Sequence, residues 1–180
     1  ELIRQKVLGS YNRPLVGLGI GAGNRMKALD VSQLKSLATS IITRTPAVLV
    51  LFGTAEDQRA AANLVAVLPS ERVINTTGCC GLSDLPELLA GLNCFVGVDS
   101  GATYMADALG VQVVDFMGPA DSEDQRPIGK KTISVRCGEP CAPCSHAFDA
   151  PYRCRLGTRA CITKLPIESL VSHVMELLRK

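Results

Sequence analysis

Short apolar runs of strand length alternate with segments of helical period along most of this chain, and few architectures accept that pattern. Residues 14–20, 47–52, 72–75, 94–98 and 111–117 read as strands, most of them nearly all apolar. Between them, Val31, Leu34, Leu37, Ala38, Ile41 and Ile42 recur at helical spacing over 31–44, with Asp30 placed to cap the start and Pro46 just past the end. Further helices are expected over 57–68, over 83–92 with Ser83 as cap, and over 102–109. Strands without a polar face belong to parallel sheets covered on both sides. Right-handed crossovers then make an α/β Rossmann-like doubly wound parallel sheet the expected fold. The chain divides into an N-terminal linker segment (1–13) with a short helix, the Rossmann-like domain (14–136), an irregular Cys-rich segment (137–165) and a C-terminal helix (166–180). That last helix, which carries His173, Arg179 and Lys180, reads as core packing; the alternative is that it packs across to a further domain.

Length and charge narrow the partners. A chain of 180 residues suits one ordinary domain with a continuous core. A net charge of +2 with 4% aromatic residues offers neither the field nor the stacking platforms of a nucleic-acid binder. No run approaches the roughly 20 apolar residues that span a bilayer. The start at Glu1 shows no signal-peptide pattern and no initiator Met, so a cytoplasmic protein, and a piece of a longer one, is expected.

In an open parallel sheet, ligands bind beyond the carboxyl ends of the strands. Three features fall there. Gly19-Ile20-Gly21-Ala22-Gly23 leads into Asn24-Arg25-Met26-Lys27, a glycine-rich loop ending in two cations. Gly53-Thr54 precedes Glu56 and Asp57. Asp99-Ser100-Gly101 runs straight into a helix, whose first N–H groups and dipole favour an anion such as a diphosphate. Each has a plainer alternative: solvated cations at Arg25 and Lys27, dipole-favoured acids at Glu56 and Asp57, an ordinary N-cap at Asp99 and Ser100. The first loop fits neither a dinucleotide fingerprint nor a phosphate-binding Walker loop, since Asn24-Arg25 follows the glycines and Ala28 follows Lys27.

The run from Val98-Asp99-Ser100-Gly101-Ala102-Thr103-Tyr104 to Leu109-Gly110, continuing through Phe116-Met117-Gly118-Pro119, resembles the Asp-(Ser/Thr)-Gly segment of the ADP-heptose:lipopolysaccharide heptosyltransferases, glycosyltransferase family 9. The glycine-rich loop with Lys27 and the helix before Cys94 fall in matching order, and the likeness runs from about Pro14 to the end. The resemblance implies the donor-binding half of a two-domain (GT-B) inverting glycosyltransferase acting in lipopolysaccharide core or related glycan synthesis, cytoplasmic or peripheral at the inner membrane. It implies an N-terminal acceptor-binding domain of the parent chain as partner, with this half alone inactive and no cofactor required for catalysis. Lys27 would stabilise the leaving diphosphate with Gly23 and Arg25 nearby; Ser100 and Gly101 would hold phosphate and Asp99 sugar hydroxyls. Glu56 or Asp57 would take the ribose, and backbone near Cys80 the adenine edge. Tyr104 is a departure, because relatives usually carry His there, and it bears on which sugar is accepted.

Eight cysteines include five, Cys137, Cys141, Cys144, Cys154 and Cys161, within one short segment. Cys141, Cys144, Cys154 and Cys161 could hold a structural zinc, with His146 and Cys137 as spare ligands. Disulfides and free thiols stay open beside it, although a cytosolic setting disfavours disulfides. Against the donor-binding reading stand a uridine-donor transferase or epimerase, a nicotinamide-dependent dehydrogenase, and a non-catalytic nucleotide-binding or zinc-stabilised interaction module.

Overall fold

The structure, a computed structural model, describes residues 2–9 and 11–179; Glu1 and Lys180, used above for the chain start and the basic C-terminus, lie outside them. Helix α1 (Leu2–Leu8) precedes strand β1 (Leu15–Gly19), helix α2 (Val31–Arg44) and strand β2 (Val48–Phe52). After a 3-10 turn over Ala55–Asp57 come α3 (Gln58–Val65), β3 (Val73–Asn75), α4 (Leu85–Leu89), β4 (Cys94–Val98), α5 (Gly101–Ala108) and β5 (Gln112–Met117). Strand β6 (Thr132–Arg136), the short helix α6 (Ala160–Thr163) and helix α7 (Ile167–Leu177) complete the order. The six strands form one parallel sheet in the order β3-β2-β1-β4-β5-β6.

Period-two alternation sorts the strand residues onto two cores. Val16, Leu18, Leu49, Leu51 and Val96 face α2, α3 and α7, whereas Leu15, Val48, Val50, Phe95 and Val113 face α1, α4 and α5. Burying each such side chain contributes about 1.5–3 kcal/mol, and two covered faces explain why the strands carry no polar side. Helix α7 buries Leu170, Val171, Val174 and Leu177 and packs on α2, so the C-terminal helix is core packing within this domain.

Three local expectations are corrected. Strand β6 was not among the strands expected; it is an edge strand with only Val135 buried, so it lacks the all-apolar signature of its neighbours. The helix expected from Asp57 begins after a 3-10 turn, because Asp57 turns inward to accept the Thr54 N–H at 2.9 Å. The cap of α4 is Asp84, not Ser83, with the Asp84 carboxylate accepting the Gly81 N–H at 3.1 Å.

Candidate functional site

Strands β1 and β4 are neighbours, but β1 feeds α2 on one face and β4 feeds α5 on the other. The carboxyl ends therefore part at this point and leave a crevice, the place where such sheets bind ligands. A cavity of about 860 Å³ opens there, walled by Gly23, Arg25, Glu56, Cys80 and Ser100, with Leu82 and Leu85 as an apolar side. That volume lies in the range of small-molecule sites.

On the β1–β2 side, one carboxylate holds two loops together. Asp57 is buried, and it accepts Arg25 Nη1 at 2.6 Å together with the Thr54 N–H and hydroxyl at 2.9 and 3.1 Å. Burial works to raise its pKa, yet the hydrogen bonds from Arg25 and Thr54 outweigh it and hold the carboxyl below its ordinary value. A methyl group at Gly21 would sit 2.3 Å from Asp57 Oδ2, so glycine is required where the loop crosses this carboxylate. Glu56 also receives Arg25, Nη2 to Oε2 at 3.2 Å, but its side chain is 82% exposed at the cavity rim. Of the two acids, Asp57 is spent on the fold and Glu56 is the one open to a ligand.

On the β4 side, Lys27 reaches across the crevice to Asp99, pairing Nζ with Oδ2. Asp99 is also buried, and its Oδ1 accepts the Tyr104 hydroxyl at 2.5 Å. Burial, and then the adjacent Asp99, push the Tyr104 phenol far up, so it remains a donor. Ser100 caps α5 with extended backbone, and its carbonyl accepts the Tyr104 N–H at 3.1 Å. A side chain at Gly101 would meet nothing within 4 Å, so the start of α5 is uncovered on that side, two residues from Asp99 of the Lys27–Asp99 pair. Gly23, Arg25, Glu56, Asp57, Cys80 and Ser100 line the cavity itself; Lys27, Asp99 and Tyr104 form a cluster next to it. At Cys80, burial first and then Asp84 push the thiol up, which keeps it protonated.

Two participants escaped the sequence reading. Asp115, fully buried on β5, has Oδ1 without a partner and Oδ2 3.5 Å from the Ser134 hydroxyl. Burial, and then the charge of Asp99, push its carboxyl up to about 7. The signal was visible as a lone acid inside the apolar run Val113-Val114-Asp115-Phe116-Met117. The other is Arg159, whose guanidinium reaches the loop that carries Lys27. It lies in the irregular Cys-rich segment, where no periodicity marks a single basic residue.

All eight cysteines are free thiols, and the four candidate zinc ligands share one lobe without their sulfurs being drawn together. Among the described residues, the one trio of ligand atoms within 4.8 Å of one another is Asp121 and Asp124, on the turn after β5, with His146 of the Cys-rich segment. The thiols have other engagements: Cys137 donates to the Ala160 carbonyl at 3.4 Å, and Cys154 accepts the Arg159 N–H at 3.4 Å. Burial pushes Cys161 up to about 11.

Comparison with known proteins identifies the family. The family described as glycosyltransferase family 9 (heptosyltransferase) matches residues 3–152. Lipopolysaccharide heptosyltransferase 1 of Pseudomonas aeruginosa is 28% identical over 110 residues, which is 61% of this chain and 30% of that protein. The E. coli ADP-heptose lipopolysaccharide heptosyltransferase II structure superposes with a TM-score of 0.79 at 22% identity, covering 99% of this chain and 50% of that one. TibC of enterotoxigenic E. coli, described as a dodecameric iron-containing heptosyltransferase in complex with ADP-D-beta-D-heptose, gives a TM-score of 0.67 at 14% identity over 94% of this chain and 46% of its own. The chain thus spans about a third to a half of the length of these relatives, and the structural likenesses establish the fold. With the family match covering most of its residues, the chain belongs to glycosyltransferase family 9.

Proposed function

We propose that this chain is the donor half of an inverting glycosyltransferase and binds a nucleoside-diphosphate sugar, ADP-heptose, in the crevice between β1 and β4. The observation that carries the reading is the cation of Lys27, paired with Asp99, next to the uncovered helix start at Ser100 and Gly101, at the switch point of the sheet. A diphosphate placed there meets an ammonium group and a helix N-terminus, both suited to an anion. In the free protein Lys27 is neutralised by Asp99, so donor binding draws it into a shared contact instead of confronting a bare buried charge. Glu56 at the rim takes the ribose hydroxyls, backbone at Cys80 the adenine edge, and Asp99 with Tyr104 the sugar.

The remaining parts of the reaction belong to the parent chain. An acceptor hydroxyl, deprotonated by a base on the N-terminal domain, attacks the anomeric carbon, and the bond to the diphosphate breaks with inversion. This half lowers the barrier by spreading the leaving charge over Lys27 and the α5 amides, an effect typically of a few kcal/mol per donor. No step requires a metal, because those groups supply the positive charge. The product enters lipopolysaccharide core or a related glycan. Among the described residues no helix is long and apolar enough to cross a membrane, and we place the protein in the cytoplasm, peripheral to the inner membrane.

The Cys-rich lobe enters as a brace. Cys141, Cys144, Cys154 and Cys161 are the proposed ligands of a structural zinc whose binding would draw the four sulfurs together; a metal content far below one equivalent in protein purified without chelator would dismiss it. For the donor site, calorimetry with ADP, UDP and NAD is decisive. Binding of ADP in preference to UDP and NAD is expected. Preference for UDP would move the protein to another donor class, and binding of none would favour an interaction module.

A further inference from the structure

The Cys-rich lobe is tied to the donor loop chiefly through the side chain of Arg159. Across residues 24–28 the backbone hydrogen bonds are local turns: the Lys27 N–H donates to the Asn24 carbonyl at 2.9 Å, the Ala28 N–H to the Arg25 carbonyl at 3.3 Å, and the Met26 N–H to Asn24 Oδ1 at 3.0 Å. Such a segment needs external support to hold a lysine in one place. Arg159 supplies it, donating Nε to the Met26 carbonyl at 3.4 Å, Nη2 to the Ala28 carbonyl, and Nη1 to Asp30 Oδ1 at 2.9 Å. The guanidinium therefore brackets Lys27, taking the carbonyls of the residues before and after it. Its planar fork of donors suits three acceptors in this way, which an ammonium group would not.

The backbone of Arg159 is pinned as well. It is the one non-glycine residue with positive φ among the described residues, at φ 48° and ψ 35°. That conformation costs an ordinary side chain of order 1 kcal/mol. It is held by the Arg159 N–H on Cys154 Sγ at 3.4 Å and by the Arg159 carbonyl, which accepts the Ile162 and Thr163 N–H groups at 2.8 and 2.9 Å. The residue lies beyond the segment matched by the family, which ends at 152. Asn24 adds a second link between loop and lobe, its Nδ2 donating to the Pro151 carbonyl at 2.9 Å.

We propose that Arg159 is a positioning residue for donor binding: anchored in the Cys-rich lobe, it fixes the loop on either side of Lys27 so that the ammonium group faces the diphosphate. The proposal rests on the donor-site reading above. A purely structural role would lower stability without touching the contribution of Lys27, and a double-mutant cycle separates the two. Arg159→Gly removes the fork while keeping the left-handed backbone that glycine tolerates, so any loss of stability comes from the fork's contacts and not from backbone strain. The experiment is calorimetric titration of ADP into the unmodified chain, Arg159→Gly, Lys27→Ala and the double variant. We expect Arg159→Gly to weaken ADP about tenfold, Arg159→Lys to recover little, and the double variant to bind no more weakly than Lys27→Ala alone. Asp30→Asn, which preserves a good helix cap but weakens one arm of the fork, should give a smaller loss in the same direction and serves if Arg159→Gly does not fold. ADP affinity indifferent to both substitutions, or losses at Arg159 and Lys27 that simply add, would overturn the role of Arg159 alone. Failure of the unmodified chain to bind ADP would overturn the donor site and this role with it.

Discussion

Replacing Asp115 with Asn tests the electrostatics beneath the site. The carboxyl is fully buried, and its Oδ1 lacks a partner. The charged groups acting on it are Asp99 and Asp107, which oppose ionisation, and Lys27, which favours it; the Ser134 hydroxyl also favours the charged form. Its native pKa is raised from 3.8 to about 7. The native protein thus keeps a proton that the unfolded chain has already lost, and stability must fall as pH rises between those two values. This contribution is complete below the unfolded pKa and is lost as pH climbs through the native one. Between about pH 5 and about pH 8 the change amounts to roughly 2.5 kcal/mol, at about 1.4 kcal/mol per pH unit until the native group titrates. Asn cannot titrate, so the stability of Asp115→Asn relative to the parent should improve by that amount over the same range. Urea unfolding of both proteins at each pH measures it. A difference that stays flat with pH would mean that Asp115 ionises normally, and would refute the picture of a desolvated acid next to Asp99.

Other outcomes follow from single contacts. Lys27→Ala should weaken ADP binding by about tenfold or more and, in the intact parent enzyme, lower turnover strongly; near-normal activity would remove Lys27 from the site. Gly21→Ala drives a methyl group to 2.3 Å from Asp57 Oδ2. It should cost about 1–3 kcal/mol, seen as a lower melting temperature, and Asp57→Ala in the same chain should relieve part of that loss. Tyr104→Phe removes the hydroxyl that reaches Asp99 and should affect discrimination between donor sugars more than affinity for ADP, as competition titrations would report.

The sheet was legible because its strands are covered on both faces. An unbroken run such as Val48-Leu49-Val50-Leu51-Phe52 has no other comfortable place. Strand β6 was not, since an edge strand with one buried residue follows the same composition as a loop. Gly101, Ser100 and Lys27 could be singled out because glycine and a helix start make a local signal. What could not be read was pairing at long range. Nothing in Asp57 distinguishes a ribose acceptor from an acid that ties Gly21 and Gly53 to Arg25, and only the fold brings those loops to one point. Arg159 was hidden for the same reason, being 132 residues from Lys27 in sequence. The cysteine spacing suggested a shared metal but could not show that Cys137 and Cys154 also bond backbone groups around α6.

The central claim is best tested by a crystal structure of this chain with ADP bound. The account predicts the diphosphate on the N–H groups of Ser100 and Gly101, with Lys27 Nζ within hydrogen-bond distance of a phosphate oxygen and the adenine near Cys80. ADP found elsewhere on the surface, or a diphosphate that leaves Lys27 wholly on Asp99, would contradict it.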